Sequence, residues 1–287
     1  MARDFPRLRP DPVPQFTAVP ESLATGQLKS TYEETKAALC VPWMGVVTMA
    51  FAYYPTFYRT LWNALAPVVT TAEFAEASKS LRQTAEAAAV ALDPPNITDR
   101  LKALGYSQEE IQEIAACNEV FSSGNMPYLL IATRARLSLE GDGWPAIMGS
   151  PSDSVPPMHP RPVLVEKHHA SNDLRDLYAD IQKALRLPFV NTDYRAFARW
   201  PSYFAAAWAD LGPSIGQQSY ENQVSDIHNA AIALARDLPN PKGLTSAELQ
   251  DAAQSENGDV IETVRLFQWL LPGLALNVAF FRHQILR

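Results

Sequence analysis

Residues 32–67 read YEETKAALCVPWMGVVTMAFAYYPTFYRTLWNALAP, and residues 178–213 read YADIQKALRLPFVNTDYRAFARWPSYFAAAWADLGP. The two stretches align without a gap at a constant offset of 146. Tyr32, Pro42, Phe51, Pro55, Trp62 and Pro67 fall on Tyr178, Pro188, Phe197, Pro201, Trp208 and Pro213. An internal repeat sets the architecture, because each copy is one structural unit that buries its apolar face against the other. The differences between the copies are equally informative. Gly45-Val46-Val47 in the first copy stands opposite Asn191-Thr192-Asp193 in the second. One scaffold accommodates both, so the polar tripeptide has no structural necessity behind it.

Working outward, the repeat is helical. Leu174, Leu177, Tyr178, Ile181 and Leu185 form an apolar stripe at helical spacing. Pro42 and Pro188 follow it in the two copies, and the residue before a proline is pushed off helical angles, so a break is expected at each. A second helix then runs toward Pro55 and Pro201. Ser30 with Glu33 has capping-box spacing and predicts the first helix start. The same spacing recurs at Ser107 with Glu110 and at Thr245 with Glu248. Residues 72–92, rich in Ala and Glu, predict one long helix. The last helix of each half carries an interior proline, Pro127 and Pro272, which frees backbone groups.

Only Pro162–Val165 has strand character, and Asn257-Gly258 reads as a turn between helices. The expected fold is all-α: two pseudo-symmetric helical repeats joined by a long proline-rich linker, with the active site between them. The divisions are an extended arm over 1–27, repeat 1 over 28–140, the linker over 141–171 and repeat 2 over 172–287. Six prolines make that linker semi-extended rather than flexible.

Composition excludes several classes of function. A net charge of −7 and a pI near 5.3 argue against nucleic-acid binding, which needs clustered Lys and Arg. Cys40 and Cys117 have neither disulfide-framework nor zinc spacing and suit reduced thiols in the cytoplasm. The N-terminus lacks the apolar core of a signal peptide. Leu266–Phe281 is the most apolar stretch, but it is shorter than the ~18 residues of a membrane span and reads as a buried core helix. The five histidines show no metal-ligand spacing, so no metal and no cofactor is expected.

The candidate functional residues lie where the copies differ in polarity. Asp193 follows Asn191-Thr192 after the Pro188 break. Asp, Asn and Thr are also the preferred residues for starting a helix, so the tripeptide has a purely structural reading. Against that, Gly45-Val46-Val47 starts the equivalent helix with no acid. If the halves pack face to face, Val47 and Asp193 meet at a shared interface, where ligand pockets are common. Asn125, two residues before Pro127, is replaced by Leu270 in the second half. It either satisfies carbonyls freed by the proline or serves a pocket. Trp43 and Phe189 are equivalent, and Phe189 reads as core packing.

Four runs in register resemble the group I D,L-2-haloacid dehalogenases: Ser30-Thr31-Tyr32-Glu33, Val41-Pro42-Trp43, Gly124-Asn125-x-Pro127-Tyr128-Leu129-Leu130, and Asp193-Tyr194 followed by Trp200-Pro201. The resemblance covers nearly the whole chain. It implies an all-helical hydrolase acting on carbon–halide bonds, which removes halide from C2 of short 2-haloalkanoic acids of either hand with inversion. It places the catalytic aspartate at Asp193. It places pocket residues at Trp43, Asn125 and Thr192, and a threonine implicated in activity at Thr71. The chain departs from the family at Val46, where a pocket Phe stands, at Ser122-Ser123 in place of Asn-Tyr, and at Ala75 in place of a Glu.

The expected chemistry is direct displacement. Asp193 takes a proton from a water also held by Asn125. Trp43 and Val46 line the substrate, and Thr192 with backbone N–H groups holds its carboxylate. The expected ligands are a 2-haloacid and halide, without nucleic acid or membrane, and the assembly allowed for is a homodimer. The alternatives are a related hydrolase with another leaving group and a non-catalytic protein that binds small carboxylates.

Overall fold

The computed structural model describes residues 4–152, 159–256 and 258–286. Twelve α-helices occur among them and no strand; a lone bridge pairs Thr71 with Pro151. The helices are α1 (Gly26–Leu39), α2 (Val46–Phe51), α3 (Pro55–Leu65), α4 (Ala72–Ala91), α5 (Thr98–Ala103) and α6 (Gln108–Leu139). They continue with α7 (Asn172–Leu185), α8 (Thr192–Phe197), α9 (Pro201–Leu211), α10 (Gln218–Arg236), α11 (Ser246–Gln254) and α12 (Val260–Leu286).

The offset of the sequence recurs in the helix bounds. α1, α2 and α3 begin and end 146 positions before α7, α8 and α9. Local chemistry explains why. α1 and α7 both stop at a left-handed residue, Cys40 and Arg186, two positions before the proline that cannot continue the helix. α3 and α9 both start on a proline at the first helical position, where its missing N–H is not needed. The Tyr32 hydroxyl donates to Val19 O and the Tyr178 hydroxyl to Val165 O, at 2.8 and 2.7 Å. Val19 N in turn donates to Met49 O, and Val165 N to Arg195 O.

The two long helices α6 and α12 pack along each other, flanked by α4 and α10, and one continuous buried cluster runs through both halves. The halves also clasp each other: α2 of the first rests on α12 of the second, and α8 of the second rests on α6 of the first. This exchange positions the site described next. The stretch Leu266–Phe281 lies in α12 and is almost wholly buried, as expected of a core helix.

Three local expectations are corrected. Ser30 and Glu33 do not start α1, which begins at Gly26 after Thr25. Glu33 instead pairs with Lys36 at 3.0 Å inside the helix, since the same i, i+3 spacing serves a helical ion pair as well as a cap. Pro162–Val165 is extended but joins no sheet; Val165 N donates to Arg195 O and Val165 O accepts from the Tyr178 hydroxyl, so the segment is tied to helices rather than to a strand. The two later capping boxes are real but not equivalent. Ser107 opens α6, which carries Pro127, whereas Thr245 opens the short α11, separate from the Pro272 helix α12. Asn257 of the expected turn, and Pro156 and Pro157 of the linker, lie outside the described residues.

Candidate active site

A cavity of about 380 Å³ lies where α2 and α8 meet α6 and α12. Its wall is built from pseudo-equivalent pairs: Trp43 and Phe189, Val46 and Thr192, Val47 and Asp193, and Asn125 and Leu270. The cavity therefore sits on the pseudo-symmetry axis, and polarity is concentrated on one side of it.

Asp193 is the second residue of α8 and is 3% exposed. The helix-start reading fails for the tripeptide. Asn191 is the N-cap residue, yet no side chain caps the helix. Asp193 Oδ1 instead accepts from Asn125 Nδ2 at 2.7 Å. Asn125 reaches Asp193 because it faces inward from α6, on which α8 rests. Burial pushes the Asp193 carboxyl up to about 6. The Asn125 bond, the residue's own backbone N–H and the charge of Arg195 pull the other way, but less strongly. The group is thus largely ionised at neutral pH and basic enough to accept a proton.

Thr192 lines the cavity, and its hydroxyl accepts from Arg195 Nη2 at 3.2 Å. Arg195 Nη1 also donates to Glu166 at 2.6 Å, so a linker residue holds the rim. Val46 lines the opposite wall. Phe189, expected in the core, is only half-buried and also lines the cavity.

Trp43 is held in place by Tyr128, Gly45 and Gly124, to which the sequence reading gave no role. The Tyr128 hydroxyl donates to Trp43 O at 3.0 Å and accepts from Gly45 N at 2.8 Å. Trp43 meets Phe121 edge-on at 5.1 Å. A Cβ on Gly124 would come within 2.6 Å of the Trp43 ring, and one on Gly45 within 2.6 Å of the Tyr128 ring. Both glycines are therefore needed for close approach rather than for backbone freedom. The available signal was Gly45 itself, the small residue facing Asn191 across the repeat.

Thr71 is not brought to this cavity. Its hydroxyl donates to Val68 O at 2.7 Å and accepts from Phe74 N at 3.2 Å, capping α4. Both capacities of the hydroxyl are spent on backbone. Glu73 accepts from Ser150 N and likewise serves the fold. Ser122 donates to Asn118 Oδ1, and Ser123 joins the Arg82–Glu119 ion pair, so neither serine lines the cavity.

The family described as "DehI: Halocarboxylic acid dehydrogenase DehI" matches residues 42–186. An (R)-2-haloacid dehalogenase of Rhizobium sp. (strain NHG3) is 44% identical over 84% of this chain and 95% of that protein. One of Pseudomonas putida is 38% identical over 94% and 92%. A configuration-inverting 2-haloacid dehalogenase of Alcaligenes xylosoxydans xylosoxydans is 26% identical over 78% of each. A solved D-2-haloacid dehalogenase mutant in complex with D-2-CPA superposes with a TM-score of 0.86 at 36% identity, covering 95% of this chain and 96% of that one.

Proposed function

The chain belongs to the DehI family, whose relatives above are 2-haloacid dehalogenases, hydrolases acting on carbon–halide bonds, and on that premise we propose a direct displacement by water at C2. Asp193 is the general base. Water attacks C2 opposite the carbon–halogen bond, its proton passes to the Asp193 carboxylate, and halide leaves with the bonding electrons. The 2-hydroxy acid that forms is inverted at C2. The observation that carries this reading is the 2.7 Å bond from Asn125 to Asp193, formed between the two halves at the wall of the cavity. It takes up one oxygen of the carboxylate, and Asn125 Oδ1 remains to orient the water. Trp43 offers a positive ring edge to the departing anion. Thr192 lies beside Asp193 and fits the role of holding the substrate carboxylate.

A substrate that is displaced by water, rather than by a fixed side chain, can present either face of C2, so we propose that both enantiomers are turned over. A narrower reading, restricted to the (R) hand, is favoured by the 44%-identical relative's name. Separate turnover of (R)- and (S)-2-chloropropanoate distinguishes them: activity on one hand alone removes the broader reading.

The decisive experiment is a single turnover in ¹⁸O-water with enzyme in excess. Solvent oxygen is expected in the 2-hydroxy acid at once, with inversion. Unlabelled product, or an ester trapped on Asp193, would replace water attack with attack by the carboxylate itself.

The pH dependence follows from the same carboxyl. The base must be unprotonated, and its affinity for protons is raised to about 6. The rate is expected to fall about tenfold per pH unit below that value and to be flat above it. An acid limb near the ordinary carboxylate value of 3.8 would mean that the working base is solvated.

A further inference from the structure

The second copy of the scaffold leaves open a space that the first has filled. In the first half the Tyr128 ring lies against Gly45. At the equivalent positions the small and large residues are exchanged: Asn191 stands for Gly45, and Gly273, which follows Pro272 as Tyr128 follows Pro127, stands for the tyrosine. Without that ring, a second cavity of about 430 Å³ opens beside Gly273. It shares three wall residues with the candidate active site, namely Asn191, Leu270 and Leu274. The two cavities are thus back to back, separated by two leucines and one amide. The Asn191 side chain makes no hydrogen bond among the described residues, and its Oδ1 is buried without a partner, so nothing polar pins it in place.

The charge of the second cavity is opposite to that of the chain. Arg7 and Arg9 enter it from the N-terminal arm, and Arg186 from the left-handed end of α7. Glu221 is its one acid among the described residues. Arg7 is occupied: it donates to Glu221 at 2.8 Å and to Trp269 O at 3.1 Å, and lies over the Trp269 ring. The guanidinium groups of Arg9, half-buried, and Arg186, exposed, have no ion pair or hydrogen bond among the described residues. Three guanidinium groups facing one carboxylate, in a protein of net charge −7, form a local positive field next to a site whose base is an anion.

We propose that this cavity binds a small monovalent anion, and that its ligand is the halide released at the neighbouring site. The identity of the ligand rests on the displacement reading above; the existence of an anion site does not. The reaction consumes one haloacid anion and one water and yields a hydroxy acid anion, a halide and a proton. The proton reaches solvent from Asp193, after which the catalytic cavity holds like charges. A positively charged space behind Leu270, Leu274 and Asn191 lowers the free energy of a halide that leaves by that route. Guanidinium groups without another partner supply charge-assisted hydrogen bonds for it.

The test uses the full chain. Crystals are soaked in sodium bromide and, in parallel, in sodium 2-hydroxypropanoate, and bromide is located by its anomalous scattering. Inhibition of turnover by bromide is compared between wild type and an Arg9→Gln/Arg186→Gln double variant, with the single-turnover rate as control. A bromide peak between Arg9 and Arg186 is expected. Inhibition by bromide is expected to weaken at least about tenfold in the double variant, with the single-turnover rate unchanged, as loss of two charge-assisted contacts implies. An empty cavity in both soaks overturns the proposal. A bromide peak with unchanged inhibition means an adventitious ion only and overturns it too. Hydroxypropanoate in the cavity with no bromide overturns the halide assignment. Failure of the wild type to release halide from any 2-haloacid would remove the displacement reading, while the bromide peak would still decide whether the anion site exists.

Discussion

Replacing Asp193 with Asn is expected to abolish halide release and, at the same time, to raise the melting temperature at pH 8. The loss of activity follows from the role of the base: an amide of the same shape cannot take a proton from water, and a positioned base contributes about 10²–10⁴-fold. The gain in stability follows from the cost of keeping this carboxylate buried. Its proton affinity rises from 3.8 to about 6 on folding, with burial the dominant cause. Between these values the folded chain holds the proton and the unfolded chain does not. Stability therefore falls as pH rises through the window, and the full penalty is present above pH 6. A shift of this size corresponds to roughly 3 kcal/mol. The uncharged Asn escapes that penalty, and its amide oxygen can still accept from Asn125. The comparison is made by thermal unfolding of both proteins at pH 8 and below pH 4, where the difference should vanish. A variant that keeps more than about a tenth of the wild-type rate would remove Asp193 from the chemistry. A variant less stable than wild type at pH 8 would show that the carboxylate is stabilised where it sits.

Val47→Asp places a carboxylate at the pseudo-equivalent position and is expected to destabilise the protein by about 3 kcal/mol or more, as burial of an unpaired acid does. Val47 is 3% exposed, as Asp193 is, and lines the same cavity. The difference lies in the partner. Asp193 receives a hydrogen bond from Asn125 on α6, whereas the residue at the equivalent place on α12 is Leu270, which has none to give. The new acid would also face a second carboxylate across the cavity. Urea unfolding at neutral pH measures the effect. Equal stability of variant and wild type would mean that water reaches this wall freely, and that the two halves do not enclose a dry site.

Much of the fold was legible because it depends on near neighbours in the chain. The break before Pro42 and Pro188, the proline starts of α3 and α9 and the long helix α4 all follow from backbone rules that act within a few residues. The misreadings were also local. Glu33 has the spacing for a capping box with Ser30 and for a helical ion pair with Lys36, and only the course of the preceding chain from Thr25 decides between them. Thr71 carries the same ambiguity: a threonine before a helix can cap it or face a pocket, and here the hydroxyl accepts from Phe74 N as the cap and donates to Val68 O in the preceding turn.

The sequence by itself determined the all-helical class, the repeat, and the polarity difference that singles out Asp193 and Asn125 against Val47 and Leu270. Only the tertiary structure decided that these two polar residues touch, because they are 68 positions apart and meet through the packing of α8 on α6. The same packing withdraws water from Asp193 and so sets its basicity, and the rings of Tyr128 and Trp43 find their places only against Gly45 and Gly124. Helix boundaries are fixed by rotations about neighbouring bonds. Desolvation and close contact depend on which distant surfaces come together, and no local pattern carries that information.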